Sequence, residues 1–520
     1  MSRSARLILL GALSIGAFLV GVELMITAVA LPQILNDLAD WTELPRASWI
    51  INGYLLAYVA TMPLAGRAAD RFHLPTLFAL ALGLFAVGSL LCGAAQDLDW
   101  LIGARIVQGV GAGAILPLAT AGASHLFAGP ARARAIGVVG ALTFLGMAAG
   151  PFLGATILQS VQLDGPALVA PAWRWVFYVG APFALLAALY TWAAAPRWQR
   201  GTSNQQIDVL GAALFTTAIA TGLLALTALG DDPSPGVPGP IELSVISILA
   251  LALAVARFAL ARHPFLELRF FANRAFSGAV VLSLLTGYAL ATALIGGAVF
   301  IDRVRYGLAD EQQLALGALA GAVAIGALGS GLALRRVGII LVSLVGLAAS
   351  IGGLLALAGA GPDSPFGLLV GGLAAFGFGF GLTITARSTA AIEALGASAF
   401  GLASASVTVA RMIGMAVGLA ALTGFGSRRI EALSLVLVDQ QARDAVLPEA
   451  LRGRPLQDYL VVDALEAWAA SQAATILGGL FLIAAIVTAV AILPTLAMGG
   501  QATGRDEMPE DAGARAGVAI

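Results

Sequence analysis

The sequence predicts an all-α polytopic membrane protein. Three observations carry that prediction: a composition too apolar for a water-facing surface, about fourteen stretches long enough to cross a bilayer, and a one-sided distribution of arginine in the loops between them. Of 520 residues, 59% are hydrophobic and 11% are charged, against about 25% charged in a soluble domain. Most of the outer surface must therefore face lipid. The net charge of −1 gives no reason to expect nucleic acid as a partner. Every basic residue is Arg and Lys is absent, which reads as compositional bias rather than function. Cys92 stands alone in the apolar run Gly88-Ser-Leu-Leu-Cys92-Gly93 and cannot form an internal disulfide. Three His and one Cys leave little material for a metal site, and no cofactor is expected.

A helix needs about 20 apolar residues to cross about 30 Å of hydrocarbon. The first such stretch follows Met1-Ser-Arg-Ser-Ala-Arg6 and runs from Leu7 to about Leu35. It exceeds the apolar core of a signal peptide, is long enough to span, and is followed by further spans, so it is read as a retained first helix. The others fall at 46–66, 74–95, 99–126, 134–160, 174–195, 208–229, 241–262, 275–300, 312–334, 338–360, 365–386, 400–426 and 469–497. Lipid offers no partner to open backbone groups, so these are helices. They are too evenly apolar for barrel strands, whose two faces alternate.

Loop charge sets the orientation. With the amino terminus in the cytoplasm, the cytoplasmic loops hold Arg3, Arg6, Arg67, Arg71, Arg132, Arg134, Arg197, Arg200, Arg257, Arg262, Arg269, Arg274, Arg335, Arg336 and Arg387. The opposite loops hold Arg46, Arg303 and Arg305 beside Asp37, Asp40, Glu43, Asp97, Asp99, Asp164, Asp231 and Asp232. This asymmetry satisfies the positive-inside rule and predicts a multi-pass protein of the bacterial inner membrane with both termini cytoplasmic. The polar, Gly-rich residues 499–520 are expected to be a disordered cytoplasmic tail. Residues 427–468 fall outside by parity. Ile430, Leu433 and Leu437 keep helical spacing there, which predicts helical extensions of the last two spans into the periplasm. The alternative is an ordinary solvated loop.

Gly66-Arg-Ala-Ala-Asp70-Arg71-Phe-His73 follows the second span, and Gly331-Leu-Ala-Leu-Arg335-Arg336-Val-Gly338 follows the tenth. The echo fits two related six-helix halves with spans seven and eight inserted between them. The expected division is 1–200, the inserted pair 201–270, 271–498 with its 427–468 extension, and the tail.

Three motifs in chain order carry a resemblance to a known family. Gly66-x-x-x-Asp70-Arg71 is similar to the loop signature of the major facilitator superfamily, although His73-Leu74-Pro75 replaces the usual Gly-Arg-Arg/Lys continuation. Arg105-x-x-Gln108-Gly109 resembles its fourth-span motif. Gly146-x-x-x-Gly150-Pro151-x-x-Gly154 resembles its antiporter signature. The resemblance implies the major facilitator fold, two six-helix bundles plus two inserted central helices. Fourteen spans resemble the drug:proton antiporter branch. Trp49-Ile-Ile-Asn-Gly-Tyr54-Leu-Leu-Ala-Tyr58 and Ala403-Ser-Ala-Ser-Val-Thr-Val-Ala-Arg411-Met-Ile-Gly-Met415 resemble the mycobacterial triacylglycerol exporters, which work beside a lipoprotein. A periplasmic lipoprotein carrier is thus one implied partner, beside protons and a hydrophobic or lipid substrate.

Glu23 lies deep in the first span, where a charge costs about 2.5–3.5 kcal/mol on insertion scales. The family usually has Asp there, and the resemblance implies proton loading. A structural pairing is the alternative. Arg411 lies about eleven residues into its span, remains charged, and needs a partner. Glu23 is the obvious intramembrane candidate, and protonation of Glu23 would break the pair. Arg105 is implied to contact backbone or the proton site, and Gln108 can bond across helices. Gly66, Asp70 and Arg71 are expected to form a cytoplasmic gate in which Asp70 accepts bonds from the start of a neighbouring helix. Gly146, Gly150 and Gly154 share one face and permit close approach. Pro151 favours a bend, and the family pairs this helix across the halves as a hinge or seal. Gly371, Gly372, Gly377, Gly379 and Gly381 imply tight packing or a flexible cavity wall, and Thr383, Thr385 and Arg387 carry little functional weight.

So few charges inside the helices favour a hydrophobic cargo. Three readings follow: a proton-coupled lipid exporter, a multidrug:proton antiporter, or a membrane enzyme. No span carries a nucleophile–base constellation in support of the last.

Overall fold

The computed structural model describes residues 3–38, 44–47, 49–161, 171–194, 208–228, 238–262, 264–422, 429 and 439–498. Among these residues there is no β-strand, and thirteen helices are long and apolar enough to cross a membrane. In order they are α1 (Arg3–Leu38), α2 (Trp49–Ala69), α3 (Leu74–Gly93), α4 (Leu98–Leu126) and α5 (Pro130–Ser160). Next come α6 (Trp173–Tyr178, continued by Gly180–Ala194), α7 (Val209–Ala228), α8 (Pro240–Leu260) and α9 (Arg274–Arg303). The last four are α10 (Ala309–Ala358), α11 (Phe366–Leu395), α12 (Phe400–Ala421) and α13 (Tyr459–Val490, continued by Ile492–Ala497).

Thirteen helices account for fourteen expected spans because α10 holds two. Its 50 residues would reach about 75 Å if straight, more than twice the hydrocarbon thickness. At Gly338 the backbone turns to φ 80°, ψ 168°, a region open to a residue without Cβ. The two arms correspond to the stretches expected at 312–334 and 338–360.

Helix starts follow local chemistry. Asp97 caps α4, accepting from Trp100 N at 2.8 Å, and Asn273 caps α9, accepting from Ala275 N at 2.9 Å. Pro75, Pro130 and Pro240 occupy first-turn positions, where a missing N–H costs nothing.

Packing is organised around two seams. α1 lies along α5 and α2 along α4, while α9 lies along α12 and α10 along α11. These groups meet where α5 packs on α10 and α2 on α12. Ala141, Ala324 and Ala327 form the apolar contact of the first seam. The inserted α7 and α8 form a hairpin, with Ser247 Oγ donating to the Ala218 carbonyl at 2.7 Å. α8 presents Ile241, Ile248 and Leu260 outward at 79%, 66% and 84% exposure, the pattern of a lipid-facing surface.

The last helix begins at Tyr459, ten residues before the expected start of its span. A short helix, Gln440–Val446, and a turn, Glu449–Leu451, precede it. Most of 423–438, with the predicted extension of the preceding span, lies outside the described residues, as does the tail 499–520.

Candidate functional site

Polar side chains inside the bundle gather in two clusters. The first lies among α1–α4. Glu23 on α1 is 4% exposed and Arg105 on α4 is 1% exposed. Arg105 Nη1 donates to Glu23 Oε1 at 2.5 Å and to Gln108 Oε1 at 2.5 Å. Its Nε donates to the Ile50 carbonyl at 3.0 Å. Gln108, one helical turn after Arg105, donates through Nε2 to Ser89 Oγ at 2.8 Å. The Cys92 thiol donates to Gln108 Oε1 at 3.7 Å. Thr27, one turn after Glu23, donates to Glu23 Oε1 at 3.3 Å. The Tyr54 ring covers the guanidinium, with its centroid 4.1 Å from the Arg105 carbon.

A buried ion pair persists only when its remaining donors and acceptors are also engaged, and helices α1, α2, α3 and α4 each supply a group that does so. The pairing corrects the expectation that Glu23 faces Arg411. Arg105 comes from a helix that reaches the middle of the same group, and it takes the carboxylate.

The second cluster contains Arg411 on α12, 7% exposed, and Arg387 on α11, 1% exposed. Arg387 Nη1 donates to Thr286 Oγ1 of α9, and its carbon sits 5.0 Å from the Phe380 centroid. The Arg411 carbon sits 5.8 Å from the Phe144 ring of α5. Phe144 meets Phe380 edge-on at 5.8 Å, and Phe380 stacks on Phe376 at 6.0 Å. Tyr58 stacks on Tyr54 with centroids 6.0 Å apart and lies within electrostatic range of Arg411. The tyrosine pair thus links the clusters across the α2–α12 seam.

Arg387 was expected in a cytoplasmic loop with little functional weight. It lies instead within α11, which continues to Leu395. The sequence signal was the apolar Ala390, Ala391 and Ile392 beyond it, which extend the helix past the arginine. Tyr54, Ser89 and Thr27 were also missed. Single polar groups on apolar helices carry no spacing signal until their partner is known.

At the α2–α3 turn, Asp70 accepts from Gly401 N at 2.6 Å through Oδ1 and from Leu402 N at 2.9 Å through Oδ2. These are first-turn amides of α12, as the sequence predicts. Gly66 makes the approach possible, since a Cβ there would meet the Gly401 carbonyl oxygen at 2.6 Å. Arg71 beside Asp70 is 7% exposed. Arg67 Nη2 lies 3.9 Å from Glu267 Oε1, tying this turn to the segment after the inserted hairpin. Burial pushes the Asp70 carboxyl up to about 7, against the opposing pull of the two N–H bonds and of Arg67 and Arg71.

The glycine motif of α5 departs from its expected partner. A Cβ on Gly150 would meet the Val22 carbonyl at 2.8 Å, one on Gly154 would meet Ile26 Cγ1 at 3.0 Å, and one on Gly146 would clash with the Phe18 carbonyl. This face therefore packs on α1, beside Glu23, and the helix continues through Pro151. The cross-seam contact belongs to another face of α5, where a Cβ on Gly137 would meet the Ala327 carbonyl at 2.8 Å.

The architecture and buried ionic clusters define a polytopic membrane transporter, and the chain belongs to the major facilitator superfamily, whose family profile matches residues 13–419. It is similar to a triacylglyceride transporter of Mycolicibacterium hassiacum, 34% identical over 82% of this chain and 80% of that one. A triacylglyceride transporter of Mycolicibacterium smegmatis is 32% identical over 94% of this chain and 87% of that one. Among solved structures, a bacterial homologue of the human lysosomal transporter Spinster superposes with a TM-score of 0.58 at 18% identity, covering 96% of this chain and 99% of that one. A proton:xylose symporter gives 0.57 at 13% identity, covering 94% and 95%. At these identities the structural likeness concerns the fold alone.

Proposed function

We propose that this chain is a proton-coupled, alternating-access exporter of hydrophobic, lipid-like molecules, triacylglycerol or a related lipid, across the inner membrane with both termini cytoplasmic. The observation that carries the coupling is the 2.5 Å pair of Glu23 and Arg105, both almost fully buried. A proton on Glu23 removes one charge of the pair and leaves Arg105 with Gln108, the Ile50 carbonyl and the Tyr54 face. The cost of keeping the guanidinium buried then changes, and with it the balance between conformations that bury it differently. The moving bodies are residues 1–200 and 271–498, with the inserted pair 201–270 riding beside the α2–α12 seam.

Lipid cargo is supported by the names of the relatives. It is also supported by an apolar cavity of about 120 Å³ lined by Pro63, Phe215, Phe265, Leu402, Ala405 and Val409. The cavity sits where α2, α7 and α12 meet, and its lining is almost wholly apolar, as an acyl chain requires. Outward transport of a neutral lipid against one inward proton draws on about 2.3 kcal/mol per 100 mV. A periplasmic lipoprotein carrier would receive the lipid at the segment before α13.

The test is reconstitution of the full chain in proteoliposomes loaded with fluorescent triacylglycerol. Release to an acceptor is followed with and without a proton gradient. Gradient-dependent release is expected in the wild type, lost in Glu23→Gln and partly kept in Glu23→Asp. Full gradient-driven release by Glu23→Gln would refute the coupling. Glu23-dependent resistance to diverse drugs, with no lipid release, would instead favour a multidrug:proton antiporter.

A further inference from the structure

The second cluster carries, among the described residues, two positive charges and no negative one. Among the described residues no ion pair includes Arg387 or Arg411, although both are more than nine-tenths buried. The Nε of each guanidinium is buried with no hydrogen-bond partner. The two guanidiniums flank one aromatic contact: Arg387 sits 5.0 Å from the Phe380 centroid, Arg411 5.8 Å from the Phe144 centroid, and those rings meet at 5.8 Å. An uncompensated buried charge is costly in protein and more so within a membrane. By contrast, Arg105 has a carboxylate at 2.5 Å.

We propose that Arg387 and Arg411 form the seat for an anionic oxygen group, phosphate or carboxylate, carried by the lipid cargo. The cargo is then the related lipid of that reading, one that carries an anionic oxygen group beside its apolar tails, in place of triacylglycerol itself. The inference rests on the exporter reading and narrows its substrate class. A guanidinium grips an oxyanion side-on through Nε–H and one Nη–H as a two-pronged donor, and Nε is the unused atom on both arginines. The walls beside them are Phe144, Phe376 and Phe380, which suit the first methylenes of a tail. Thr286 already holds one Nη1 of Arg387 and fixes the direction of its fork. A lipophilic cation would meet two like charges here, so the site selects against that common class of drug.

The test uses the full chain purified in a neutral maltoside detergent. Apparent Kd values come from thermal-shift titrations with octyl phosphate, octanol, inorganic phosphate and octyltrimethylammonium. Octyl phosphate is expected to bind at least about tenfold more tightly than octanol, in line with two charge-assisted bonds, and the ammonium more weakly than octanol. The preference for phosphate over alcohol should fall to near one in the double variant Arg387→Gln/Arg411→Gln. It should survive in part in Arg387→Lys/Arg411→Lys, which separates charge from packing. Helicity and a monodisperse elution profile report that each variant is folded.

Equal affinity for octyl phosphate and octanol, or a preference that persists in the Gln variant, overturns the inference. Inorganic phosphate binding as tightly as octyl phosphate overturns its lipid part and leaves a free-anion site. The two readings fail separately. Gradient-driven lipid release without an anion preference sinks only this one. Anion preference with no gradient-driven release of either triacylglycerol or an anionic lipid such as phosphatidic acid sinks the exporter.

Discussion

Gln108 shows how a neutral side chain sustains a buried charge. Its carbonyl oxygen accepts from Arg105 at 2.5 Å while its amide donates to Ser89 at 2.8 Å, so the guanidinium keeps a partner beyond Glu23. Gln108→Leu has similar bulk but leaves an Arg105 donor and the Ser89 hydroxyl unsatisfied. The expected loss is about 1–3 kcal/mol, seen as a lower midpoint of thermal unfolding in detergent. An unchanged midpoint would mean that Arg105 needs only the carboxylate and the tyrosine face. At this scale the sequence was informative but incomplete. Glu23, Arg105, Gln108 and Arg411 stood out because polar groups on apolar helices are expensive. Which of them pair was not readable, because Arg105 and Arg411 sit at comparable depth and only the arrangement of helices chooses between them. Arg387 was misplaced because an apolar span was ended at its first charge.

Among the elements, α5 joins the glycine motif to the Glu23 region through backbone contact with α1. In lipid there is little hydrophobic drive between helices, and close packing of small residues supplies association. Gly150 faces the Val22 carbonyl, one residue before Glu23. Gly150→Leu would push α1 and α5 apart, with an overpacking cost of about 1–3 kcal/mol. It would also displace Glu23 from Arg105. Thermal unfolding should show the stability loss, and gradient-dependent release should fall more steeply than in Gly371→Leu, where a Cβ meets nothing within 4 Å. Equal effects at the two sites would argue against any special role for the α1–α5 contact. The four-residue glycine spacing was legible in the sequence, and its partner helix was not. Gly338 is the opposite case: the charged turn Arg335-Arg336-Val-Gly338 already marks a break between two expected spans, and a positive φ at that glycine turns a 50-residue helix into two.

Across the whole molecule, the α2–α12 seam is held at one end by Asp70 and the first turn of α12. The internal echo is only half realised there. A Cβ on Gly331 would meet the Ala133 carbonyl of α5 at 3.1 Å, much as one on Gly66 would meet that of Gly401, yet Arg335 stands where Asp70 stands in the first copy. The acidic latch therefore exists on one seam only, which gives it a pH dependence of definite sign. With the seam closed, burial raises the Asp70 carboxyl to about 7; with it open, a solvated carboxyl returns toward about 3.9. The closed form binds the proton more tightly. Its advantage is complete below the open-state value and is lost as pH rises through about 7. Spin labels on Phe72→Cys and Ala397→Cys in a Cys92→Ser background should report a closed population that falls as pH rises from about 4 to about 7, the interval bounded by the two values. Asp70→Asn should flatten the profile, and a flat profile in the parent protein would rule out Asp70 as its source.

The sequence by itself determined that the chain spans a membrane many times, in which register most spans lie, and which polar residues are too costly to be there by chance. Those properties follow from transfer of each segment into lipid and need no neighbour. Only the tertiary structure decided that Glu23 belongs to Arg105, that the motif glycines serve α1, and that Arg387 joins Arg411 in a cluster without a carboxylate. Pairing depends on distances between segments far apart in the chain, and those distances are set by helix packing rather than by any local preference.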